Sequence, residues 1–232
     1  MRRLSATLSW LGLRGGERLE GRVAVLSPHL DDAVFSLGAA IAHTRAEVTV
    51  VTVFAGDPDS TEPAGEWDSR GGFATEGEAA RARRREDELA CDDVGARPVW
   101  LPFGDDQYPR DDDAAVIAAV EEAVGPADTV LVPAFPLLHE DHARLLRLVE
   151  RDGLGGHRLG RYVEQPYAAA WSDGAAGNGW LPLAASVRDR VTKLRACRRY
   201  RSQLPLLSRN GPIMRRLFRY EAAHGGESVK WT

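Results

Sequence analysis

The chain alternates between two patterns of apolar and polar residues. Short runs of consecutive apolar or β-branched residues, several of them closed by a turn residue, predict strands. These predicted strands are residues 23–26, 47–54, 98–101 and 129–132. Apolar residues at helical spacing lie between them and predict helices at 33–43, 76–94, 111–124 and 142–151. Strands that alternate with helices predict a parallel sheet with right-handed crossovers.

The pattern changes after residue 153. The predicted elements there are a strand at 161–167, a loop at 168–179, helices at 188–203 and 214–220, and a last strand at 228–231. We therefore expect a single α/β domain over residues 1–232, with a Rossmann-like, mostly parallel sheet flanked by helices. Its core is expected at about 21–152 and a small C-terminal lobe at about 153–232. Residues 56–72 are rich in Gly, Pro, Asp and Ser, and predict a long loop of the kind that often carries function.

Composition excludes several classes of protein. The 232 residues are 44% hydrophobic and 28% charged, which is typical of a globular domain. The net charge of −4 argues against a nucleic-acid-binding protein. No apolar run approaches the ~18 residues that a membrane span needs. Residues 4–13 are interrupted by polar positions and lack a cleavage signal, so we expect no secretory leader. The two cysteines, Cys91 and Cys197, favour a reducing cytoplasm.

Two polar clusters follow predicted strands, at the ends where open parallel sheets bind ligands. The first is the segment Ser-Pro-His-Leu-Asp-Asp, which contains His29, Asp31 and Asp32. The second is His-Glu-Asp-His, which contains His139 and His142. Catalytic zinc usually has three His or carboxylate ligands and one open position. His29, Asp32 and His142 are therefore the candidate metal ligands.

The remaining polar residues of the two clusters suit hydrolysis. Neighbouring residues at a helix start are rotated by about 100°, so Asp31 can face the water that zinc activates while Asp32 binds the ion. A carboxylate in that position would act as a general base. His139 would stabilise an oxyanion or protonate a leaving amine, and Asp141 would orient His139 or cap the following helix.

A plainer interpretation stays open at this point. Asp31 and Asp32 also suit the cap of the helix that follows, and His139 alone would be typical of a surface loop. On that interpretation the chain is a non-catalytic α/β binding module.

These residues resemble the PIG-L/LmbE-like zinc-dependent N-deacetylases, which include sugar de-N-acetylases of glycolipid-anchor, mycothiol, bacillithiol and antibiotic-sugar biosynthesis. The two clusters correspond to the family's first and second motifs, with Leu30, Ala33 and Glu140 at positions where the family usually has Pro, Glu and Pro. Weaker matches extend the resemblance over residues 23–203. They are Arg83, Glu86, Ala90, Gly95, Asp105 and the segment 200–203.

The resemblance implies a hydrolase that removes an N-acetyl or other N-acyl group from an amino sugar or its conjugate. It implies His29, Asp32 and His142 as ligands of Zn²⁺, with Fe²⁺ as the alternative metal, and Asp31 as the base. It also implies His139 as the acid or stabiliser, with Asp141 behind it. Arg83 and Asp105 would bind substrate; the alternative for Arg83 is a salt bridge on the surface of its helix. An amidase on a thiol-sugar conjugate is the close alternative. The partner is then a small molecule rather than nucleic acid or membrane, and homo-oligomerisation is left open.

Two further features have two interpretations each. Residues 195–219 contain eight arginines and no acidic residue. They predict either a solvated face paired with the acidic segments 86–93 and 105–113 or a site for a phosphorylated substrate. Trp67, Phe73 and Trp171 lie in predicted loops, where they would either stack on a sugar or pack in the core or a lid.

Overall fold

A computed structural model describes residues 10–12, 15–171, 178–208 and 211–232. Most of the apolar run 4–13 lies outside these residues, as do Arg209 and residues 172–177 of the predicted loop. The strands are β1 (Arg22–Ser27), β2 (Glu47–Thr52), β3 (Arg97–Trp100), β4 (Thr129–Phe135), β5 (Arg158–Val163), β6 (Leu181–Pro182) and β7 (Ser228–Trp231). The helices are α1 (Asp32–His43), α2 (Glu66–Arg70), α3 (Glu76–Val94), α4 (Asp113–Val124), α5 (Glu140–Asp152), α6 (Tyr167–Trp171), α7 (Val187–Cys197), α8 (Leu204–Leu207) and α9 (Ile213–His224).

The strands form one sheet in the order β3-β2-β1-β4-β5-β7-β6. The first five strands of this order are parallel, and β7 pairs antiparallel with both β5 and β6. The chain moves from β1 outward to β2 and β3, and then returns to place β4 on the other side of β1. The strand order therefore reverses between β1 and β4. In an open α/β sheet such a reversal opens a crevice at the carboxyl ends of the strands.

Apolar packing covers both faces of the sheet. On one face, α1, α3 and α7 pack with side chains such as Phe35, Leu37 and Tyr200 in one buried cluster. On the other face, α4 and α5 contribute Val116, Val120 and Leu145 to a second cluster. Because β1 lies between the two clusters, Val23 to Leu26 are at most 1% exposed, as expected for a strand inside a parallel sheet.

The predicted mostly parallel α/β sheet is confirmed, with local differences. The predicted loop 56–72 contains the short helix α2, whose start is fixed by residues far away in sequence. Helix α5 begins at Glu140 rather than at residue 142, because His139 caps it. The strand predicted at 161–167 is β5, which ends at Val163, and Tyr167 begins α6. The helix predicted at 188–203 ends at Cys197, and turns follow it.

A buried ion cluster joins α7 and the C-terminal segment to α1. Lys193 is completely buried, and its Nζ lies 2.5 Å from Glu221 and 2.6 Å from Glu227. Glu227 also accepts hydrogen bonds from the backbone N–H groups of Ala39 and Ala40, at 2.9 and 2.6 Å. Gly38 permits this close approach, because a Cβ there would lie 3.1 Å from Lys193 Cγ.

Removal of the buried ammonium group gives a test of this packing. Lys193→Met leaves the carboxylate of Glu227 without its cation and leaves Glu221 paired only with Arg190, at 4.0 Å. It should lower the free energy of unfolding by about 3–5 kcal/mol. Burial already raises the pKa of Glu221, so the folded variant takes up protons before the unfolded chain does. The loss should therefore be smaller at pH 5 than at pH 8.

Urea unfolding at the two pH values measures the loss. The only other lysine, Lys230, is exposed, and Lys230→Met should change the free energy of unfolding by less than about 0.5 kcal/mol. Equal, small effects of the two substitutions would show that the cluster does not hold α7 in place.

Candidate metal centre and active site

The two polar clusters meet at the crevice between β1 and β4. Asp32 Oδ2 lies 3.3 Å from His29 Nδ1 and 3.2 Å from His142 Nε2, and the two imidazole nitrogens lie 3.3 Å apart. Three ligand atoms thus form a nearly equilateral triangle. Tetrahedral zinc with bonds of 2.0–2.1 Å requires ligands about 3.3 Å apart. The donor types and their spacing fit a divalent ion.

The turn between β1 and α1 fixes two of these ligands. Ser27 Oγ donates to the carbonyl of His29 (2.6 Å) and accepts from the backbone N–H of Ala33 (3.0 Å). The backbone N–H of His29 donates to Asp32 Oδ2 (3.0 Å). These bonds close the strand-to-helix turn, so His29 and the first residue of α1 present their side chains on the same side.

A carboxylate also holds the second nitrogen of each ligand histidine. His142 Nδ1 lies 2.8 Å from Glu164 Oε2, and both side chains are completely buried. His29 Nε2 lies 3.0 Å from Asp141 Oδ2. Carboxylates in this position fix the ring orientation and tautomer of a metal-binding histidine, and they raise its basicity.

Asp141 lies beside two histidines, His29 and His139. Its Oδ2 is nearer to His29 (3.0 Å) than to His139 Nδ1 (3.8 Å), and it also accepts from the backbone N–H of Asp106 at 3.0 Å. The carboxylate of Asp141 is thus nearest to His29, and its role in orienting His139 stays a prediction. The backbone of Asp141 does bind His139, because its N–H donates to His139 Nδ1 at 3.3 Å.

His139 caps α5 and borders the three-atom triangle. It offers a ring nitrogen within 4.8 Å of those of His29 and His142, and it forms a similar group with Asp106 and Asp141. Both groups are looser than the triangle that contains Asp32. Since Nδ1 of His139 accepts the helix N–H, the proton of the neutral ring is on Nε2. His139 is therefore better placed to donate a hydrogen bond than to bind the ion.

Burial and local charge together shift the pKa values of the three histidines in different directions. Burial acts to lower the pKa of His142, but the charge of Asp32 and the bonds to Asp32 and Glu164 outweigh it and raise this pKa to about 9. In the same way, Asp141 and Asp32 raise the pKa of His29 well above its usual value. Burial and the positive charges of His29 and His142 lower the pKa of His139 to about 4. The ion-free ligand histidines thus hold protons that a metal would displace, while His139 stays neutral.

Asp31, the neighbour of the ligand Asp32, lines a cavity of about 460 Å³. It is 9% exposed, and burial together with the charge of Asp32 raises the pKa of its carboxyl group to about 7. A carboxyl group that titrates near neutrality can both accept and return a proton.

The opposite wall of the cavity is built around α2. Gln107 Oε1 accepts from the backbone N–H groups of Trp67 (2.6 Å) and Asp68 (3.1 Å), and so caps a helix whose own cap residue, Gly65, has no side chain. Gln107 Nε2 donates to Asp105 Oδ2 at 2.8 Å. Trp67 Nε1 donates to Gln203 Oε1 at 2.9 Å, which ties this wall to the C-terminal part of the chain.

Arg83 and Asp105, the two residues predicted to bind substrate, both line the cavity. Arg83 is on the buried face of α3, where its guanidinium forms an ion pair with Asp68. Asp68 also accepts from the Tyr108 hydroxyl at 2.6 Å. Asp105 accepts two hydrogen bonds from Gln107, and burial raises the pKa of its carboxyl group.

Sequence profiles identify the family to which this site belongs. The profile of the family PIG-L, described as GlcNAc-PI de-N-acetylase, matches residues 24–151, which is more than half of the chain. The chain belongs to the PIG-L family. The resemblance inferred from the two motifs is confirmed, and with it the class of N-deacetylases.

Solved structures agree over nearly the whole chain. The A40926 pseudoaglycone deacetylase Dbv21 is 28% identical with a TM-score of 0.72, covering 90% of this chain and 96% of that one. A triple mutant of the deacetylase Orf2 from the teicoplanin biosynthetic pathway gives the same values. The N,N'-diacetylchitobiose deacetylase of Pyrococcus horikoshii shares the fold at 16% identity and a TM-score of 0.58, covering 91% of this chain and 83% of that one. No curated protein sequence matches the chain.

The PIG-L site also contains residues that the sequence analysis did not predict. Most of them carry no recognisable sequence signal. Glu164 is the exception, because it is a polar residue directly after the buried strand β5 and so falls at the same sheet edge as His142. Gln107, Tyr108 and Gln203 lie in turns, where only the folded wall reveals their contacts. Tyr167 lines the cavity from α6, and its ring lies 4.8 Å from that of His142 in a T-shaped contact.

The structure partly decides between the two interpretations given for the aromatic residues in predicted loops and for the arginine-rich segment 195–219. Trp67 lines the cavity, whereas Phe73 packs near the guanidinium of Arg83; the side chain of Trp171 is outside the described residues. Arg195 and Arg199 pair with Asp93, in accord with the solvated, acid-paired face. Among the described residues, none of the arginines in 195–219 lines the cavity.

None of the helices among the described residues has the length and apolar character needed to cross a bilayer. Glu140, which stands where the family usually has Pro, faces the surface and pairs with Arg147 at 2.5 Å.

The cap that Gln107 provides can be tested through hydrogen exchange. Gln107→Leu removes the acceptor of two N–H groups at the start of α2, and a lost helix cap costs about 1 kcal/mol. Amide exchange across Glu66–Arg70 should accelerate about fivefold to tenfold when measured by mass spectrometry. Gln107→Glu keeps an acceptor at the helix start and should retain most of the protection. Unchanged exchange in the leucine variant would contradict the assigned cap.

Proposed function

We propose that this protein is a metal-dependent hydrolase that removes an N-acetyl or other N-acyl group from an amino sugar or its conjugate. The observation that carries the proposal is the triangle formed by His29 Nδ1, Asp32 Oδ2 and His142 Nε2, with sides of 3.2–3.3 Å. This triangle lies at the edge of a cavity large enough for a sugar. A non-catalytic binding module has no need for an ion-sized group of ligands beside a base such as Asp31.

Zn²⁺ is the metal that we propose for the three ligands, with Fe²⁺ as the alternative. Two imidazole nitrogens and one carboxylate oxygen form a donor set typical of catalytic zinc. The ion would supply Lewis-acid activation of the water and of the acyl carbonyl. Glu164 and Asp141 hold the ligand rings in the orientation that binding requires.

Asp31 and His139 would carry the proton transfers. Asp31 accepts the proton of the attacking water, which then adds to the acyl carbon. His139 donates its Nε2 proton as a hydrogen bond to the carbonyl oxygen, where negative charge develops. The neutral state of His139 suits this role, since the low pKa of its ring leaves a single proton on Nε2. Asp31 then returns its proton to the leaving nitrogen, and the amide C–N bond breaks to give a carboxylic acid and an amine.

Arg83 and Asp105 would position the sugar. Both line the cavity with Tyr108 and Trp67, which offers an aromatic surface beside polar groups. Such a combination is typical of carbohydrate sites. One similar structure is a deacetylase of the teicoplanin biosynthetic pathway, and another is an A40926 pseudoaglycone deacetylase. We propose a related natural-product pathway or a thiol pathway. An amidase that cleaves a thiol-sugar conjugate with the same residues is the second candidate.

The proposed setting is the cytoplasm, and the proposed partner is a small molecule. Cys91 and Cys197 are free and buried, as suits a reducing compartment.

Acetate release from a panel of acetamido sugars tests the proposed function. The protein loaded with zinc, or with ferrous iron under anaerobic conditions, should release acetate from at least one member, and a chelator should abolish the release. Product masses separate an N-deacetylase from an amidase that removes a larger group. If the metal-loaded protein turned over no member of a broad acetamido-sugar and thiol-conjugate panel, the proposal would be wrong.

Two substitutions separate the base from the metal ligands. Asp31→Ala should retain one equivalent of metal and lower kcat about 10²–10⁴-fold, because general-base catalysis contributes a factor of this size. His142→Ala should instead lose bound metal, as measured by elemental analysis of the folded variant. Asp59→Ala removes an exposed carboxylate outside the cavity and should leave both quantities unchanged. Full activity of Asp31→Ala would contradict the assignment of the base.

A further inference from the structure

The cavity beside the triangle has an unbalanced set of charged side chains. Besides Asp31, four carboxylates line it. They belong to Asp68, Glu76, Asp105 and Asp106. Among the described residues that line the cavity, Arg83 carries the single permanent positive charge. The side chains that a substrate meets are therefore predominantly anionic.

The one arginine does not offset this excess, because it is already paired. Arg83 forms a buried ion pair with Asp68, and the two residues are only 9% and 2% exposed. Within the described part of the chain, no lysine or arginine nitrogen lies within 4.0 Å of the carboxylates of Glu76, Asp105 or Asp106. The nearest histidine contact is that of His139 Nε2, 3.9 Å from Asp106 Oδ2.

A bound divalent ion would not reverse the sign of the charge. Its two positive charges would face the carboxylates of Asp31, Asp32 and Asp141, with Glu164 bonded to His142 behind them. Negative groups on a substrate would then approach a cavity of the same sign, whereas positive groups would be attracted to it.

Two of the unpaired carboxylates stand where a substrate can reach them. The Asp106 side chain is 52% exposed and neighbours His139, so it lies beside the reaction centre. Glu76 lines the cavity from the start of α3, next to Gly56.

Hydroxyl-binding groups also line this cavity. Arg83 lines the cavity, and its Nε is buried without a hydrogen-bond partner among the described residues. The Tyr108 hydroxyl lies in the same wall. These groups suit a ligand with several hydroxyl groups, such as a sugar. The charges of the cavity further favour a sugar that is positively charged.

We propose that the natural substrate carries, besides the N-acyl group that is hydrolysed, at least one ammonium group, and that Asp106 and Glu76 select it. This inference rests on the proposed function and narrows its substrate class. It selects cationic amino sugars over phosphorylated or carboxylated ones. The phosphorylated substrate considered for the arginine-rich segment 195–219 is then disfavoured.

Binding by metal-loaded protein tests the proposal without any need for turnover. The probes are chitobiose with both amines free, N,N'-diacetylchitobiose, and N-acetylglucosamine 6-phosphate, measured by calorimetry at low ionic strength. We expect the diamine to bind at least fivefold more tightly than the neutral disaccharide, and the phosphate to bind most weakly. Added salt should reduce the preference for the diamine.

Substitutions assign the preference to the two carboxylates. Asp106→Asn and Glu76→Gln should each reduce the ratio of diamine to neutral affinity about twofold to fivefold. Asp59 lies in the loop that precedes Glu76, and its exposed carboxylate does not line the cavity. Asp59→Asn should therefore leave the ratio of diamine to neutral affinity unchanged.

The outcomes separate the two proposals. Tight binding of the phosphate, equal affinity for diamine and neutral probe, or an unchanged ratio in Asp106→Asn and Glu76→Gln would overturn the charge preference. A preserved preference with no release of acetate from any substrate would instead support the charge preference and count against the deacetylase.

Discussion

The parallel pairing of β1 with β4 brings together two chain segments that are 113 residues apart, as the contact between His29 and His142 shows. Because the strand order reverses at this pair, the crevice at its carboxyl end is open to a ligand. The sharp turn after β1 supplies His29 and Asp32, and the start of α5 supplies His142. A sheet in which another strand lay between β1 and β4 would move these side chains apart by about 4.8 Å for each strand.

Buried carboxylates hold the cluster in a single arrangement. Asp32 contacts both imidazoles, and Glu164 and Asp141 occupy the nitrogens that face away from the triangle. Charges of this kind are costly to bury unless they are paired or bind a metal. The same groups that make the ion-free site a network of protonated histidines and carboxylates would make it a strong site for a divalent cation.

Much of the site could be predicted from the sequence, because its chemistry is concentrated in two short motifs. The segment around His29 and the segment around His142 each follow an apolar strand, and rules for α/β sheets place both at one edge. Which histidine the carboxylate of Asp141 lies nearest to could not be predicted, since this depends on side-chain distances to His29 and His139. The wall built by Gln107 around α2 had no signal, because it consists of hydrogen bonds between irregular segments about 40 residues apart.

The fold alone does not determine the reaction. One fold can carry unrelated reactions, so the chemistry depends on the residues that line the crevice. X-ray absorption spectroscopy of the zinc-loaded protein tests most directly whether His29 and His142 bind one zinc ion. We expect one zinc per chain with two imidazole nitrogens and carboxylate or water oxygen at about 2.0–2.1 Å, and loss of an imidazole contribution in His29→Ala. A zinc site whose spectrum is unchanged in both His29→Ala and His142→Ala would contradict the account.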